Sequence, residues 1–249
     1  MGPTEIGLMI LAGVGILATF AYIAQHIENT RRERQLRLMQ LRFDIRRASH
    51  LLSSFPDLFL TTEIKKLLLH YLQQKWENIV ALENNQENQT QLDRIKQRFQ
   101  EKVEPIPHPE GSLTAFPDAN SAHQAQGVLR EFNKFLSDVE KKGEISKKIR
   151  LNFESRIKRA YSRASYDMEI FECLAIEQMS GGEAALPKLR NCFHNMENLN
   201  RDHSLDRQLY EVRTYVDRLT AEKKAAEAKR EAERQAEREE EARYDKMTF

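Results

Sequence analysis

The hydrophobic positions of this chain follow two different patterns. From Ile6 to Ala24 the sequence is a run of apolar residues without a charge, and beyond it apolar residues recur every three or four positions among polar ones. A helix rises about 1.5 Å per residue, so the run is long enough to cross the roughly 30 Å hydrocarbon core of a bilayer. Because the run is apolar on all sides rather than striped, we predict a transmembrane helix within residues 1–27.

A cleaved signal peptide is the alternative interpretation of this run. Such a peptide needs a basic segment before the apolar run and a cleavage site with small residues in an alternating pattern. The one charged side chain before the run is Glu5, and the alanines near its end, Ala18, Ala21 and Ala24, do not form a clean cleavage site. The residues therefore favour a retained membrane helix.

Arginines follow the apolar run at once and predict its orientation. Cationic side chains next to a membrane span stay on the cytoplasmic side, where anionic headgroups attract them. We therefore predict an N-terminus outside and the remaining chain in the cytoplasm, in a membrane such as the bacterial inner membrane. The residues predicted to contact anionic lipid are Arg31, Arg32, Arg34 and Arg37.

Residues 28–103 are predicted to form membrane-proximal helices. The first continues from the span and should stop at Pro56, because the residue before a proline is pushed out of the helical region. Thr61 or Thr62 can cap a second helix, and a polar loop from Glu83 to Thr90 leads to a shorter returning helix. The apolar stripe of the first helix comprises Leu38, Leu41, Ile45, Ala48, Leu52 and Phe55.

A proline-rich segment, residues 104–120, is predicted to be a loop or hinge within the soluble part. A helical domain follows over residues 121–219, and its first helix can be capped by Asp118, Asn120 or Ser121. Ser146 should cap the longest helix of this domain, and Gly181 should end it. The predicted stripe of that helix comprises Ile149, Phe153, Ile157, Ala160, Ala164, Met168, Phe171 and Ala175.

The last segment, residues 220–249, carries almost no apolar stripe. It consists mainly of Ala, Glu, Lys and Arg, with opposite charges one helical turn apart. Such pairs stabilise an exposed helix, so we predict a solvated helical extension, with a disordered tail or a partner-binding helix as alternatives.

The chain has only nine Gly and seven Pro. We therefore predict an all-α protein with one transmembrane helix, a cytoplasmic antiparallel helical bundle with coiled-coil-like seams, and a long charged C-terminal helix.

Chemical motifs are sparse in this sequence. Cys173 and Cys192 lie in apolar-striped segments without metal-ligand spacing, which favours buried free thiols over a disulfide. Asn200 to Glu211 resembles a calcium loop only in part, because Leu205 stands where the sharp turn needs glycine. The sequence contains no two histidines at the spacing of metal ligands, no glycine-rich phosphate-binding loop and no nucleophile elbow. We therefore predict no catalytic, cofactor-binding or metal-binding residue and no enzyme activity.

A second basic cluster lies in the helix over residues 147–163, beside Tyr161 and Tyr166. It can be a solvated helix face balanced by acidic neighbours, or a contact for lipid, an acidic partner or a nucleic-acid backbone. The residues predicted as a possible contact for an acidic partner are Lys147, Lys148, Arg150, Lys158 and Arg159.

These patterns predict a single-pass, membrane-anchored scaffold or adaptor that presents a cytoplasmic helical surface to other proteins. Expected partners are the lipid bilayer and a protein, or a second copy through helix association, for which the small pair Gly15 and Thr19 is suited. Nucleic acid and small-molecule ligands are not expected. The alternatives are a peripheral module that binds anionic lipid or nucleic acid through the helix 147–163, and an enzyme with an unrecognised site.

Overall fold

The computed structural model describes the backbone of residues 2–104, 106–201 and 203–247 and, within these ranges, the side chains of residues 22–239. These residues form seven α-helices, one short 3₁₀ turn at Asp57–Phe59 and no strand, which confirms the all-α prediction. The helices are α1 (Pro3–Ser54), α2 (Thr62–Leu82), α3 (Gln86–Arg98), α4 (Ala119–Lys141), α5 (Lys147–Ser180), α6 (Gly182–Leu199) and α7 (Asp206–Met247).

The chain divides into two compact units. The first comprises Met1–Ser54 and Thr61–Val103, in which α1 packs on α2 and α2 on α3. The second comprises Phe55–Leu60 and Glu104–Phe249, in which α4, α5, α6 and α7 pack on one another in chain order. Within each unit, helices that follow one another in sequence therefore pack together, as their short connections allow.

The first helix runs without a break from Pro3 to Ser54. This confirms the prediction that the apolar N-terminal segment and the arginine-rich segment share one helix. The helix ends two residues before Pro56, as the steric restriction on residues preceding proline requires. The next helix then begins after Thr61, whose side-chain oxygen accepts a hydrogen bond from the Ile64 N–H at 3.4 Å.

Polar side chains also fasten the first unit. Asp44 of α1 and Lys75 of α2 are both buried and form an ion pair at 3.7 Å, and the Lys75 ammonium lies 4.8 Å from the centre of the Tyr71 ring. Near the other end of the unit, Lys65 donates to the Glu101 carboxylate at 2.9 Å and to the Glu101 carbonyl at 3.2 Å. A buried charge needs such a partner because an isolated one loses its hydration without compensation.

The predicted polar loop over Glu83 to Thr90 was too long. The structure starts α3 at Gln86, because the Asn85 side chain accepts a hydrogen bond from the Asn88 N–H at 2.7 Å and so caps the helix. Asn88 itself is buried and donates to the Glu83 carbonyl at 2.8 Å. A polar segment can therefore be helical here, since its side chains satisfy the free backbone groups of the helix end.

The second unit is built around apolar side chains of all four of its helices. Phe132 of α4 is fully buried and contacts the rings of Phe55, Phe135 and Phe153. A further cluster joins α5, α6 and α7. Its members are Ile170, Cys173, Leu186, Leu189, Cys192, Met196, Val212, Val216 and Leu219.

The second half of α5 buries a different face from the one predicted. Met168 and Phe171 are half-buried and Ala175 is exposed, whereas Asp167 and Ile170 are fully buried. The stripe was misplaced because Asp167 is polar and was not counted as a core position. Its burial is possible because hydrogen bonds satisfy its carboxylate, as described below.

The charged C-terminal segment continues α7 as a helix to Met247. Its described side chains beyond Thr220 are almost all exposed, and Lys223–Glu227 and Lys229–Glu233 form ion pairs one turn apart. The structure thus agrees with a solvated helical extension. Each such exposed pair contributes only a few tenths of a kcal/mol.

Among the side chains that the structure describes, no helical stretch has both the length and the apolar composition needed to cross a bilayer. The predicted membrane segment, Ile6–Ala24, lies outside the described side chains from Ile6 to Ala21. Its insertion in a membrane therefore stays a prediction.

The connection between α5 and α6 generates a prediction about stability. Gly181 has φ 86° and ψ 164°, a backbone region that is essentially restricted to glycine. We expect Gly181→Ala to lower the free energy of unfolding of the second unit by about 1–3 kcal/mol, measured by denaturant unfolding of the full-length protein in detergent.

Gly127 provides the matched control for this substitution. It lies inside α4, and a Cβ atom built on it would meet no atom within 4 Å. Gly127→Ala should leave stability unchanged or raise it by about 0.5–1 kcal/mol, since alanine loses less entropy in a helix. Equal effects of the two substitutions would contradict this account.

Candidate interaction surface

The arginines predicted to contact lipid lie on different sides of α1. Arg31 and Arg34 face a cleft together with Arg42, whereas Arg32 pairs with Glu28 on its own helix at 3.1 Å. Arg37 is exposed and does not line this cleft. The structure therefore brings two of the four predicted residues together, and lipid contact by all four stays a prediction.

The cleft of the first unit has a volume of about 500 Å³. Arg34 donates a hydrogen bond to the carbonyl of Leu82, at the C-terminus of α2, and Arg42 pairs with Glu83 at 3.1 Å. Arg34 thus satisfies one free carbonyl at the end of α2, and Arg42 pairs with the side chain of the residue that follows the helix. The residues lining it are Arg31, Arg34, Gln35, Leu38, Met39, Arg42 and Glu83.

An exposed apolar ridge lies next to the cleft. It comprises Leu36, Met39 and Phe43, whose exposed fractions are 62%, 58% and 60%. These residues are spaced three and four positions apart, so they form one stripe along α1. At 100° per residue the ridge lies roughly opposite the buried positions Ile45 and Ala48. We call these three residues the α1 ridge.

Met39 and Phe43 were not singled out from the sequence. The sequence predicts one apolar face on this helix, through Leu38, Leu41 and Ile45, and in the structure this face is half-buried to buried. The signal for a second face was present, because Leu36, Met39 and Phe43 repeat the same spacing with an offset. One helix with two apolar stripes indicates two packing partners.

The second basic cluster is largely engaged in ion pairs within its own unit. Arg150 contacts Glu140 of α4 and Glu154 of its own helix, each at 2.5 Å, and Lys158 contacts Glu154 at 3.0 Å. Hydrogen bonds from Lys158 and Arg150 lower the pKa of the Glu154 carboxyl. This arrangement favours a helix face that acidic neighbours balance.

The remaining members of that cluster are exposed at two places on α5. Lys147 and Lys148 lie in its first turn, and Arg159 lies three turns further along. The structure therefore does not gather the five predicted residues into one patch. Contact of this cluster with an acidic partner stays a prediction.

A buried carboxylate fastens the proline-rich loop of the second unit. One oxygen of Asp167 accepts hydrogen bonds from the N–H groups of Ala115 and Phe116 at 2.7 and 2.9 Å. Its other oxygen accepts from the Gln208 side chain at 2.6 Å, and that same amide nitrogen donates to the Leu113 carbonyl at 3.0 Å. The loop is thus bound to α5 and α7 through polar groups that sequence periodicity could not reveal.

Burial raises the pKa of Asp167 above the ordinary value of 3.8, while the hydrogen bonds from Gln208, Phe116 and Ala115 act in the opposite direction. Desolvation disfavours the charged form of a carboxyl, and donors stabilise it. The carboxyl is enclosed and occupied by these donors, so the arrangement serves to hold the loop. It offers no open position to a substrate.

Both cysteines are free thiols buried in the core of the second unit. Burial raises the pKa of each, and nearby carboxylates, Glu169 among them, act in the same direction. A thiol with a raised pKa is a poor nucleophile because the thiolate is the reactive form. The Cys192 thiol also lies 3.7 Å from the carbonyl oxygen of Tyr166, to which it donates.

No group of three or more His, Cys, Asp or Glu side chains suited to a metal ion occurs among the described residues. Comparison of the chain with protein-family models, with curated proteins and with solved structures yields no match. The case for a function therefore depends on the chain's own sequence and structure.

Removal of the buried carboxylate should destabilise the second unit. Asp167→Ala leaves the N–H groups of Ala115 and Phe116 without their acceptor and removes one of the two acceptors of the Gln208 amide. Each unsatisfied buried donor costs about 1–3 kcal/mol, so the two backbone amides predict a loss of at least about 2 kcal/mol and faster hydrogen exchange at both of them. Asp217→Ala, at an exposed position of α7, is the control and should change neither quantity.

The pH dependence of the free energy of unfolding provides a second measurement on the same substitution. The folded protein binds the Asp167 proton more tightly than the unfolded chain does, since its pKa is raised. The stability difference between the wild type and Asp167→Ala should therefore shrink as the pH rises from about 3.8 towards the folded pKa. A difference that grows with pH over this range would contradict the assignment.

The cysteines should be unreactive in the folded protein. We expect Ellman's reagent to modify fewer than about one tenth of the thiols of the native protein in detergent within an hour at neutral pH. The reason is that both thiols are buried and protonated. In denaturant, both Cys173 and Cys192 should react within minutes. Rapid reaction of one thiol in the native protein would show that it is accessible.

Proposed function

We propose that this protein is a single-pass membrane-anchored scaffold whose helical units stand in the cytoplasm and present a surface to other proteins. Ile6–Ala24 spans the bilayer, and the arginines that follow keep the rest of the chain on the inner side. The observation that carries the proposal is the unbroken α1, which joins the apolar segment to the first unit without a hinge.

The described part of the chain supports a binding role over a chemical one. The α1 ridge exposes three large apolar side chains in succession, and an arginine-lined cleft lies beside it. Neighbouring exposed apolar residues with a polar rim are typical of protein interaction sites. The carboxylate and thiols that are most strongly buried are instead occupied in packing the second unit.

Membrane attachment can be tested with a variant that lacks residues 6–24. We expect the full chain to remain with the membrane fraction after an alkaline carbonate wash and to be released by detergent, because its apolar segment is inserted. The variant lacking residues 6–24 should appear in the soluble fraction. A green fluorescent protein fused after Phe249 should fluoresce, as it does when it folds in the cytoplasm.

Three results would contradict this proposal. The full chain could be extracted by carbonate alone, the C-terminal fusion could lie outside the cytoplasm, or the mature product could begin after Ala24. The last result would identify the apolar run as a signal peptide. Peptide sequencing of the purified N-terminus distinguishes it from the first two.

A further inference from the structure

We propose that the α1 ridge and the adjacent arginine cleft form one docking surface for an acidic amphipathic helix of another protein. The two features are continuous, because Met39 belongs to the ridge and also lines the cleft. This inference deepens the proposed function and rests on it, since the orientation of α1 in the membrane decides what can reach the surface.

The bilayer cannot cover this surface. The α1 helix rises about 18 Å between Ala24 and Leu36 and about 28 Å between Ala24 and Phe43. The headgroup layer extends only roughly 5–7 Å beyond the hydrocarbon, and a tilt of about 20° shortens these heights by only about 6%. The ridge therefore stands in the aqueous phase, where exposed apolar side chains favour a protein partner.

The charge around the ridge selects an acidic partner. Between residues 31 and 47 the helix carries seven arginines and two acidic residues, and one of those, Asp44, is buried in its pair with Lys75. Arg31 lines the cleft beside the ridge, where Arg42 is already paired with Glu83, and exposed Arg46 follows Phe43. At 100° per residue these arginines lie on the same side of the ridge, so carboxylates along that edge of an apolar helix face would meet positive side chains.

A second copy of this chain fits the surface poorly. Two copies anchored in one membrane run parallel, and Leu36 and Phe43 are one heptad apart. Pairing along this repeat would place Glu28 opposite Glu33 of the second copy and Arg42 opposite Arg47 of the second copy. Like charges at these positions oppose association, so charge complementarity favours a different, acidic chain.

The spacing of the ridge favours a helix as the partner. Residues three and four positions apart form a straight row that packs into the groove of another helix. The cleft beside Met39 offers a recess of about 500 Å³ for side chains of the partner. Helix-in-groove recognition combines such an apolar row with flanking charges.

The test uses the full-length protein in detergent and a displayed library of random 20-residue peptides. We expect the selected peptides to carry apolar residues at helical spacing and a net negative charge. The triple variant Leu36→Ser, Met39→Ser, Phe43→Ser should bind them about 30-fold or more weakly, because it removes the apolar anchors. Arg31→Gln should weaken binding about two- to fivefold, as expected for an exposed charge.

A matched control is available on the second unit. Ile149 and Leu151 of α5 are exposed to 43% and 45%, so the double variant Ile149→Ser, Leu151→Ser removes exposed apolar side chains elsewhere on the protein. It should bind the selected peptides as the wild type does. Binding should also weaken as the salt concentration rises from about 0.1 M to 1 M, where the screening length falls to about 3 Å.

Several results would overturn the inference. These are the absence of any selected peptide, selection of neutral or basic sequences, equal loss of binding in the control variant, or self-association of the full chain that the triple variant abolishes. Each leaves the proposed membrane anchor intact, because that is decided separately by fractionation. Conversely, a chain that binds acidic peptides but is soluble would contradict the anchor alone.

Discussion

The constraint on which this structure depends is the continuity of α1. A helix satisfies its own backbone hydrogen bonds, so it can pass from a lipid environment into water without a change of conformation. Here a single helix extends from Pro3 to Ser54 and contributes both the buried face that packs on α2 and the exposed ridge. Under the proposed function, anchoring, orientation and recognition are therefore all assigned to one element.

In the second unit a different principle holds a long segment without secondary structure in place. Loops of this length seldom stay ordered unless their backbone groups find partners. Asp167 and Gln208 supply those partners from two helices, and Glu211 adds an acceptor for the Gly111 N–H at 3.2 Å. The proline-rich segment is thus part of the packed unit, although its composition alone predicted a loop or hinge.

Helical periodicity and end signals predicted most of the fold. Thr61, Asp118 and Ser146 cap their helices as expected, and Gly181 follows the end of α5. What could not be predicted were positions where a polar residue takes a core place, as Asp167 does, or where a polar segment is helical, as α3 is. The α1 ridge was missed for a related reason, because one apolar face had already been assigned to that helix.

The terminal part of α7 determines how far its C-terminal end lies from the packed helices. Leu219 is the last buried residue among the described side chains of this helix, which continues for about 40 Å to Met247. A flexible chain with the same number of residues would have a root-mean-square span of only about 30 Å and would fluctuate widely. A group attached near Met247 is therefore kept at a nearly constant distance from the packed helices. On a flexible chain the same group would sample a wide range of distances.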